Sequence, residues 1–414
     1  MQHVILGAGP AGVTAAETLR KVDPESEITL VIGEDGAPYS RMAIPYILTG
    51  KIDEAGADIR KTKGHFDALG ITLVHGQVEK VSTKNSTVVL AGGAAIPFDR
   101  VLVATGSRPI APPIPGLDLA GVRHCWTKED ARAIAEKAKK GSDVVLMGAG
   151  FIGCIILESL VERGVNLTVI EAEDRMIPKM MDKVGGDMLK RWCESKGLAI
   201  KTSTKVTGIV EKGERLSVGL DGGGAPDSPD SLDADLVVIA TGVAPNADFL
   251  DGSGVDVGRG IYVNEHLEST VAGIFAAGDV AEGPDFLGGF MVHAVQPTAV
   301  EHGRIAALNM AGKNAPYQGS LIMNVLDTLG LVTASFGHWD GGSAHAKLAN
   351  PDGFRYTNLA FEDNKLTGAL TVGRIDHVGA LRGLIQKGQK LGGWEETLKK
   401  NPDRIMDAFV ALSQ

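Results

Sequence analysis

Two stretches of one design, an apolar strand running into G-x-G-x-x-G and then a helix, predict an α/β protein with two Rossmann-like dinucleotide-binding domains. Two Ala-Thr-Gly strand ends, one after each stretch, support the duplication. Residues 316–414 carry a different pattern of short strands followed by helices, so a further C-terminal α/β domain is expected.

In the first stretch, His3–Leu6 reads as a strand, Gly7, Gly9 and Gly12 as the turn, and Ala11–Arg20 as a helix. Gly7 allows the tight turn, Gly9 lets backbone approach a pyrophosphate, and Gly12 lets helix and strand pack closely. The helix N-terminus offers free N–H groups and a positive dipole end to phosphate. Glu27–Ile32 is the next strand. Glu34 lies 22 residues after Gly12, near the distance at which an acid meets an adenosine ribose; Asp35 competes for that role.

The segment PYSRMAIPYILTGK (38–51) places Tyr39, Arg41 and Lys51 around apolar residues. Arg41 suits a bidentate grip on phosphate, and Lys51 could set a positive charge near an electron-rich cofactor. A surface helix with two solvated cations is the competing reading. Strand-like runs follow over 71–104 (ITLVHGQVEKV, STVVL, RVLVAT), then Ala104-Thr105-Gly106. A strand ending in Thr-Gly brings backbone close to a ligand or another chain segment. Ala111–Gly116 (APPIPG) reads as a linker and a domain boundary.

The second stretch has its strand at 143–147, its turn at Gly148, Gly150 and Gly153, a helix to about Arg163, and the strand Asn166–Ile170. Glu171 ends that strand, 18 residues after Gly153. A carboxylate there accepts the adenosine 2′-OH and repels a 2′-phosphate, so NADH is expected over NADPH. Arg175 reads as an i,i+4 partner of Glu171 or a surface charge. Residues 219–236 read as a loose hairpin tip, and Ala240-Thr241-Gly242 repeats the strand-end theme. In GIFAAGDVAEGP (273–284), Gly278 allows close approach and Asp279 presents a carboxylate to ligand hydroxyls, with a plain Asx turn as the alternative. His293 and Gln296 precede Pro297, which suits the first turn of a long helix; His293 reads equally as structural or functional.

A net charge of −10 argues against nucleic acid or an anionic membrane surface as partner. No run of about 18 apolar residues is present, so no membrane span is expected. The N-terminus enters a strand with no basic leader region, so a cytoplasmic protein is expected. Cys125, Cys154 and Cys193 are isolated and make no C-x-x-C, zinc or iron–sulfur spacing, so no metal site is expected.

With these motifs in place, the chain resembles the pyridine nucleotide–disulfide oxidoreductases over nearly its whole length. The resemblance implies FAD in the first unit, through Gly7, Gly9, Gly12 and Glu34, closed over by Thr105, Gly106, Gly278 and Asp279. It implies NAD(H) in the second, through Gly148, Gly150, Gly153, Glu171 and Gly242. The implied domains are 1–112 and 246–315 for FAD, 113–245 for NAD, and 316–414 as a C-terminal interface domain, a lid or homodimer module. Gln296 and Pro297 would turn a helix N-terminus to the flavin.

The 38–51 segment resembles that of the ferredoxin-, rubredoxin- and nitrite-reductase type members. There the arginine and lysine lie along FAD, so Arg41 becomes a cofactor contact and Lys51 a catalytic residue stabilising negative charge. Coenzyme A-disulfide reductases and NADH oxidases carry a redox cysteine in this segment, where this chain has Met42. Many relatives pair the lysine with a glutamate at the position of Ile155, which leaves Glu158 as a substitute only if the helix is rotated. With no thiol route, electrons are expected to pass between NADH/NAD and an external iron–sulfur carrier through the flavin. The carrier could also be iron–sulfur subunits of a larger 2-oxoacid dehydrogenase of phenylglyoxylate type. A free-standing NADH oxidase or disulfide reductase, and a non-enzymatic NADH/FAD sensor, are the alternatives.

Overall fold

The computed structural model of the protein describes residues 1–221, 231–374 and 376–413. These form two compact units. Met1–Ile44, Ile52–Arg108 and Val243–Ser320 make the first; Pro45–Lys51, Pro109–Gly242 and Leu321–Gln414 make the second.

The first unit is built on a five-stranded parallel sheet, in the order Ile274–Ala276, Arg100–Val103, Gln2–Leu6, Glu27–Ile32, Ile71–His75. Its central strand pairs Val4 with Thr29 on one side and Val101 on the other. Val4, Ile5 and Leu6 are all buried, because a parallel sheet covered on both faces needs an apolar run and not an alternating one. Each such side chain contributes about 1.5–3 kcal/mol of burial. The helix Pro10–Val22 starts with proline in its first turn and ends with Arg20 and Lys21 in its last, matching the helix dipole. Its Ala11, Gly12, Ala15 and Ala16 are buried and small, so the helix Gln296–Met310 comes to backbone contact. A Cβ on Gly303 would sit 2.2 Å from the Ala11 carbonyl oxygen.

The apolar run 71–81 is two strands in two sheets, not one. Ile71–His75 joins the parallel sheet, and Val78–Ser82 pairs antiparallel with Thr87–Leu90 in a small three-stranded sheet. Gly76 and Gln77 separate them, which lets the chain change sheets.

The second unit repeats this plan. Its parallel sheet runs Ala199–Lys201, Asn166–Ile170, Asp143–Met147, Leu236–Ile239, Val122–His124, beside a three-stranded antiparallel sheet of Val206–Lys212, Arg215–Leu220 and Leu232–Ala234. The arms of the expected 219–236 hairpin pair Leu216 with Ala234; its tip, 222–230, lies outside the described residues. APPIPG is packed and not a free linker. Gly116 has φ +88° and a Cβ there would lie 1.9 Å from the Ile209 carbonyl oxygen, while the Ile209 N–H donates to Pro115 at 3.0 Å.

The C-terminal part carries a five-stranded antiparallel sheet, ordered Met323–Thr328, Leu331–Gly337, Lys365–Val372, Arg355–Glu362, Ala344–Asn350. Helices Val378–Lys387, Trp394–Lys400 and Ile405–Leu412 follow. The edge strand AHAKLAN had no sequence signal, because an edge strand with most side chains in solvent shows no apolar alternation. Among the described residues, no helix is long and apolar enough to cross a membrane, and no group of three or more His, Cys, Asp or Glu could hold a metal ion.

Candidate functional site

Both glycine turns close in one way. Gly7 has φ +103°, and a Cβ there would lie 2.3 Å from the Ala104 carbonyl oxygen. Gly148 has φ +101°, with the Ala240 carbonyl oxygen at 2.4 Å from the same point. A Cβ on Gly12 would meet the Gly7 carbonyl oxygen at 1.9 Å, and one on Gly153 the Gly148 carbonyl oxygen at 2.2 Å. The turn, its helix and the Ala-Thr-Gly strand end are therefore in backbone contact, which only glycine permits. Gly9 and Gly150 are the opposite case: nothing lies within 4 Å of a Cβ on either. Each begins its helix as N-cap, at φ −75°. The first N–H groups of a helix have no partner inside it, so each turn leaves backbone donors beside open space, Pro10 alone lacking an N–H in the first.

In the first unit, the carboxylate of Glu34 accepts from the Tyr39 hydroxyl at 2.6 Å and pairs with Arg41, whose other amino group donates to that hydroxyl at 3.1 Å. Both members of the Glu34–Arg41 pair are more than a third exposed, so the pair adds only about 0–1 kcal/mol to stability. Its effect is to orient Arg41. The Ser40 hydroxyl donates to the Gln296 side-chain oxygen at 3.1 Å, which brings the start of the Pro297 helix to this segment. Gly278 has φ +77°. Asp279 beside it accepts from Ser107 at 3.4 Å. Burial holds the Asp279 carboxyl above its usual range, opposed by Ser107 and by the charge of Arg41.

Thr105 and Gly106 are tied to Asn246. The Thr105 hydroxyl donates to the Asn246 carbonyl at 2.6 Å, the Asn246 amide side chain returns a bond to the Thr105 carbonyl at 3.0 Å, and the Asn246 N–H donates to Gly106 at 2.9 Å. Ser107 and Asn246 escaped the sequence reading; the signal was a hydroxyl directly after the first Ala-Thr-Gly and an asparagine four residues past the second. A third omission is His302, whose Nδ1 accepts the Gly278 N–H at 3.3 Å. Burial takes its pKa down to about 3, which keeps the ring neutral and able to accept. His293 pairs with Asp285 at 3.3 Å, both buried.

In the second unit, Glu171 is buried. One carboxylate oxygen accepts the Ala149 N–H at 2.7 Å, the other the Glu173 N–H at 2.9 Å. The acid is thus fixed against the Gly148–Gly150 turn. Arg175 is not its i,i+4 partner. Residues 171–175 lie past the end of the strand and outside any helix, so that periodicity does not apply. Arg175 instead donates to the Met181 carbonyl at 2.9 Å, the Pro178 carbonyl at 3.3 Å and Asp174 at 2.7 Å. Thr241 donates to the Ile110 carbonyl at 2.6 Å and the Ile110 N–H to Gly242 at 2.9 Å, the same style of tie as at Thr105.

Lys51 is balanced by Glu162, at 2.9 Å, which raises its pKa above the ordinary lysine value. Ile155, Glu158 and Glu162 are spaced by three and four along the helix Phe151–Glu162, so they share one face. Lys51 pairs with Glu162, which lies two turns beyond Ile155 on that face. Glu158 is nearby, its carboxyl raised by burial and by Asp327 and Glu162. Ser159 donates to the Pro45 carbonyl at 3.4 Å and Arg163 to the Leu48 carbonyl at 2.7 Å, which seats the 45–51 segment on this helix. Met42 is half exposed in a short turn, Arg41–Ala43. Cys125, Cys154 and Cys193 are free and buried. Burial pushes Cys125 and Cys193 up to about 12 and Cys154 well above the ordinary thiol value.

The sequence pattern of the family described as pyridine nucleotide-disulphide oxidoreductase matches residues 1–308. The chain is 28% identical over 407 residues to the epsilon subunit of the NADH-dependent phenylglyoxylate dehydrogenase of Aromatoleum evansii, covering 97% of this chain and 95% of that one. It is 32% identical over 328 residues to an NADH oxidase of Methanocaldococcus jannaschii, covering 77% and 71%. Among solved structures, the covalent putidaredoxin reductase–putidaredoxin complex contains a chain of the same fold, with a TM-score of 0.89 at 23% identity over 99% and 98% of the two chains.

The glycine geometry separates folding from binding. Gly12→Ala should lower the Tm by several degrees, because its Cβ meets backbone. Gly9→Ala should leave the Tm of the ligand-free protein within about 2 °C of wild type and still reduce FAD retention at least tenfold. Thermal unfolding and flavin absorbance after gel filtration read both. Asp279→Asn gives a pH-dependent contrast. The raised carboxyl means that the folded state disfavours the ionised form, a cost absent below the unfolded pKa near 4 and complete above the folded value. Ligand-free Asp279→Asn should match wild type in acid and exceed it by ~1 kcal/mol at pH 8 in urea unfolding, while holding FAD less tightly.

Proposed function

The chain belongs to the pyridine nucleotide-disulphide oxidoreductase family, and on that premise we propose that it is an FAD-dependent NAD(H) oxidoreductase passing electrons between NADH/NAD and an external iron–sulfur protein or partner subunit. The observation that carries this reading is the pair of turns with identical closure and an open middle glycine. FAD belongs in the first, on residues 1–112 and 246–315, and NADH in the second, on residues 113–245. FAD, when bound, supplies the exchange of electrons with the nicotinamide.

The protein's own groups bind and orient. The N–H groups behind Gly9 take the pyrophosphate, Glu34 takes ribose hydroxyls while Tyr39 and Arg41 hold it, and Asp279 takes a ligand hydroxyl. Lys51, kept charged by Glu162, supplies positive potential and moves no proton. Thr105, Gly106, Gly242, Gly278, Gln296 and Pro297 shape the surrounding backbone. Glu171 selects against NADPH: a 2′-phosphate brought to a buried carboxylate meets like charge, and Arg175 is committed to its own loop. No thiol takes part. The three cysteines are buried with raised pKa values, so none offers a thiolate near neutral pH, and Met42 cannot serve in their place. Electrons therefore leave to a separate protein. The similarity to the epsilon subunit of a dehydrogenase over nearly the full length of both chains supports the role of NAD-coupling subunit, with residues 316–414 as interface. Three unpaired cysteines favour a cytoplasmic location.

Stopped-flow mixing of the FAD-loaded protein with subsaturating NADH or NADPH tests the reading. Flavin bleaching should be at least tenfold faster with NADH at equal concentration. Equal rates would remove the selecting role from Glu171, and a protein that takes up no FAD would sink the proposal as a whole.

A further inference from the structure

Residues 171–182 (EAEDRMIPKMMD) lead from Glu171 to the helix Lys183–Ser195. At the middle of this segment Ile177 holds φ +44°. A β-branched residue rarely enters the left-handed region, and the following Pro178 restricts it further. The conformation persists because the side chain is buried, together with Met176, Met180 and Met181. Met180 and Met181 donate to the Ile177 carbonyl at 2.8 and 3.0 Å. Arg175 braces the same loop through the Met181 and Pro178 carbonyls. In the first unit, the loop after Glu27–Ile32 meets its demand for positive φ with a glycine, Gly36 at +89°.

The strained residue aims its N–H at the Ala149 carbonyl, 2.7 Å away, while Glu171 holds the Ala149 N–H from the preceding peptide. In a trans peptide, C=O and N–H point in opposite directions. With the Ala149 C=O turned to Ile177, the Gly150 N–H is turned away from it. Nothing of the protein lies within 4 Å of a Cβ built on Gly150. We propose that Ile177 is a positioning residue for the pyridine nucleotide: its left-handed backbone fixes the Ala149–Gly150 peptide so that the Gly150 N–H donates to the pyrophosphate. This rests on the assignment of NADH to the second unit.

The test exploits an inversion of the usual order of substitutions. Alanine at 177 keeps the cost of positive φ but loses the buried anchor, so the loop relaxes and the N–H leaves Ala149. Glycine carries no such cost and keeps the bond. With the FAD-loaded protein, Ile177→Ala should raise the Kd for ADP-ribose by calorimetry and the KM for NADH about tenfold, with kcat to a dye acceptor within twofold. Ile177→Gly should stay within about threefold of wild type in all three. A residue that merely fills space would show glycine no better than alanine, and that order, or unchanged binding in both variants, overturns the proposal. Loss of bound FAD from Ile177→Ala also overturns it, since the role is confined to the second unit. Wild-type protein that binds neither ADP-ribose nor NADH would instead remove the functional reading on which the proposal rests.

Discussion

The structure depends on one contact made twice, the approach of a glycine turn to the carbonyl at the end of a neighbouring strand. Gly7 meets Ala104 and Gly148 meets Ala240 at distances that leave no room for a Cβ. The first and second strands and the helix after each turn are placed by this contact. So is the open space beside Gly9 and Gly150. Hydrophobic burial supplies most of the stability, at about 1.5–3 kcal/mol for each large core side chain. It does not by itself decide which N–H groups face outward and which are covered. The backbone contact does.

Much of this was legible in the sequence because it is periodic and local. Strand, three spaced glycines and helix are fixed by short-range geometry, and the strands Glu27–Ile32, Asp143–Met147 and Asn166–Ile170 fall where their apolar runs place them. Gly278-Asp279 was legible for the same reason, as a polar residue set at the end of an apolar strand. What escaped depends on chain segments far apart in sequence. Glu162 faces Lys51 across 111 residues, and Asn246 meets Thr105 across 141. Neither pairing leaves a trace in local pattern; the sequence pointed to Glu158 as the substitute for Ile155, and the carboxylate that meets Lys51 is Glu162, one turn further along the helix. APPIPG looked like a linker because proline and glycine mark turns, yet Gly116 is there for close packing on Ile209. Arg175 looked like a helical neighbour of Glu171 only by its spacing, and the chain there is not helical.

The two units answer similar demands with different residues. At the acid after the second strand, the first unit uses a partly exposed carboxylate held by Tyr39 and Arg41, and the second a buried one held by backbone N–H groups. A solvated acid tolerates nearby phosphate and arginine. A buried one carries its charge undiluted, so it discriminates more strongly between a hydroxyl and a phosphate. Under the proposed function, this division suits a first site that retains FAD and a second that chooses between NADH and NADPH.

Under the proposed function, electrons move between the nicotinamide and an outside partner through the flavin, with no cysteine taking part. Anaerobic titration of the FAD-loaded protein with NADH, for wild type and for the Cys125→Ser, Cys154→Ser, Cys193→Ser triple variant, tests it most directly. Both proteins should bleach completely with one equivalent of NADH per FAD, along the same curve. Consumption of a second equivalent by wild type alone, with a long-wavelength thiolate–flavin band between the two, would contradict the account.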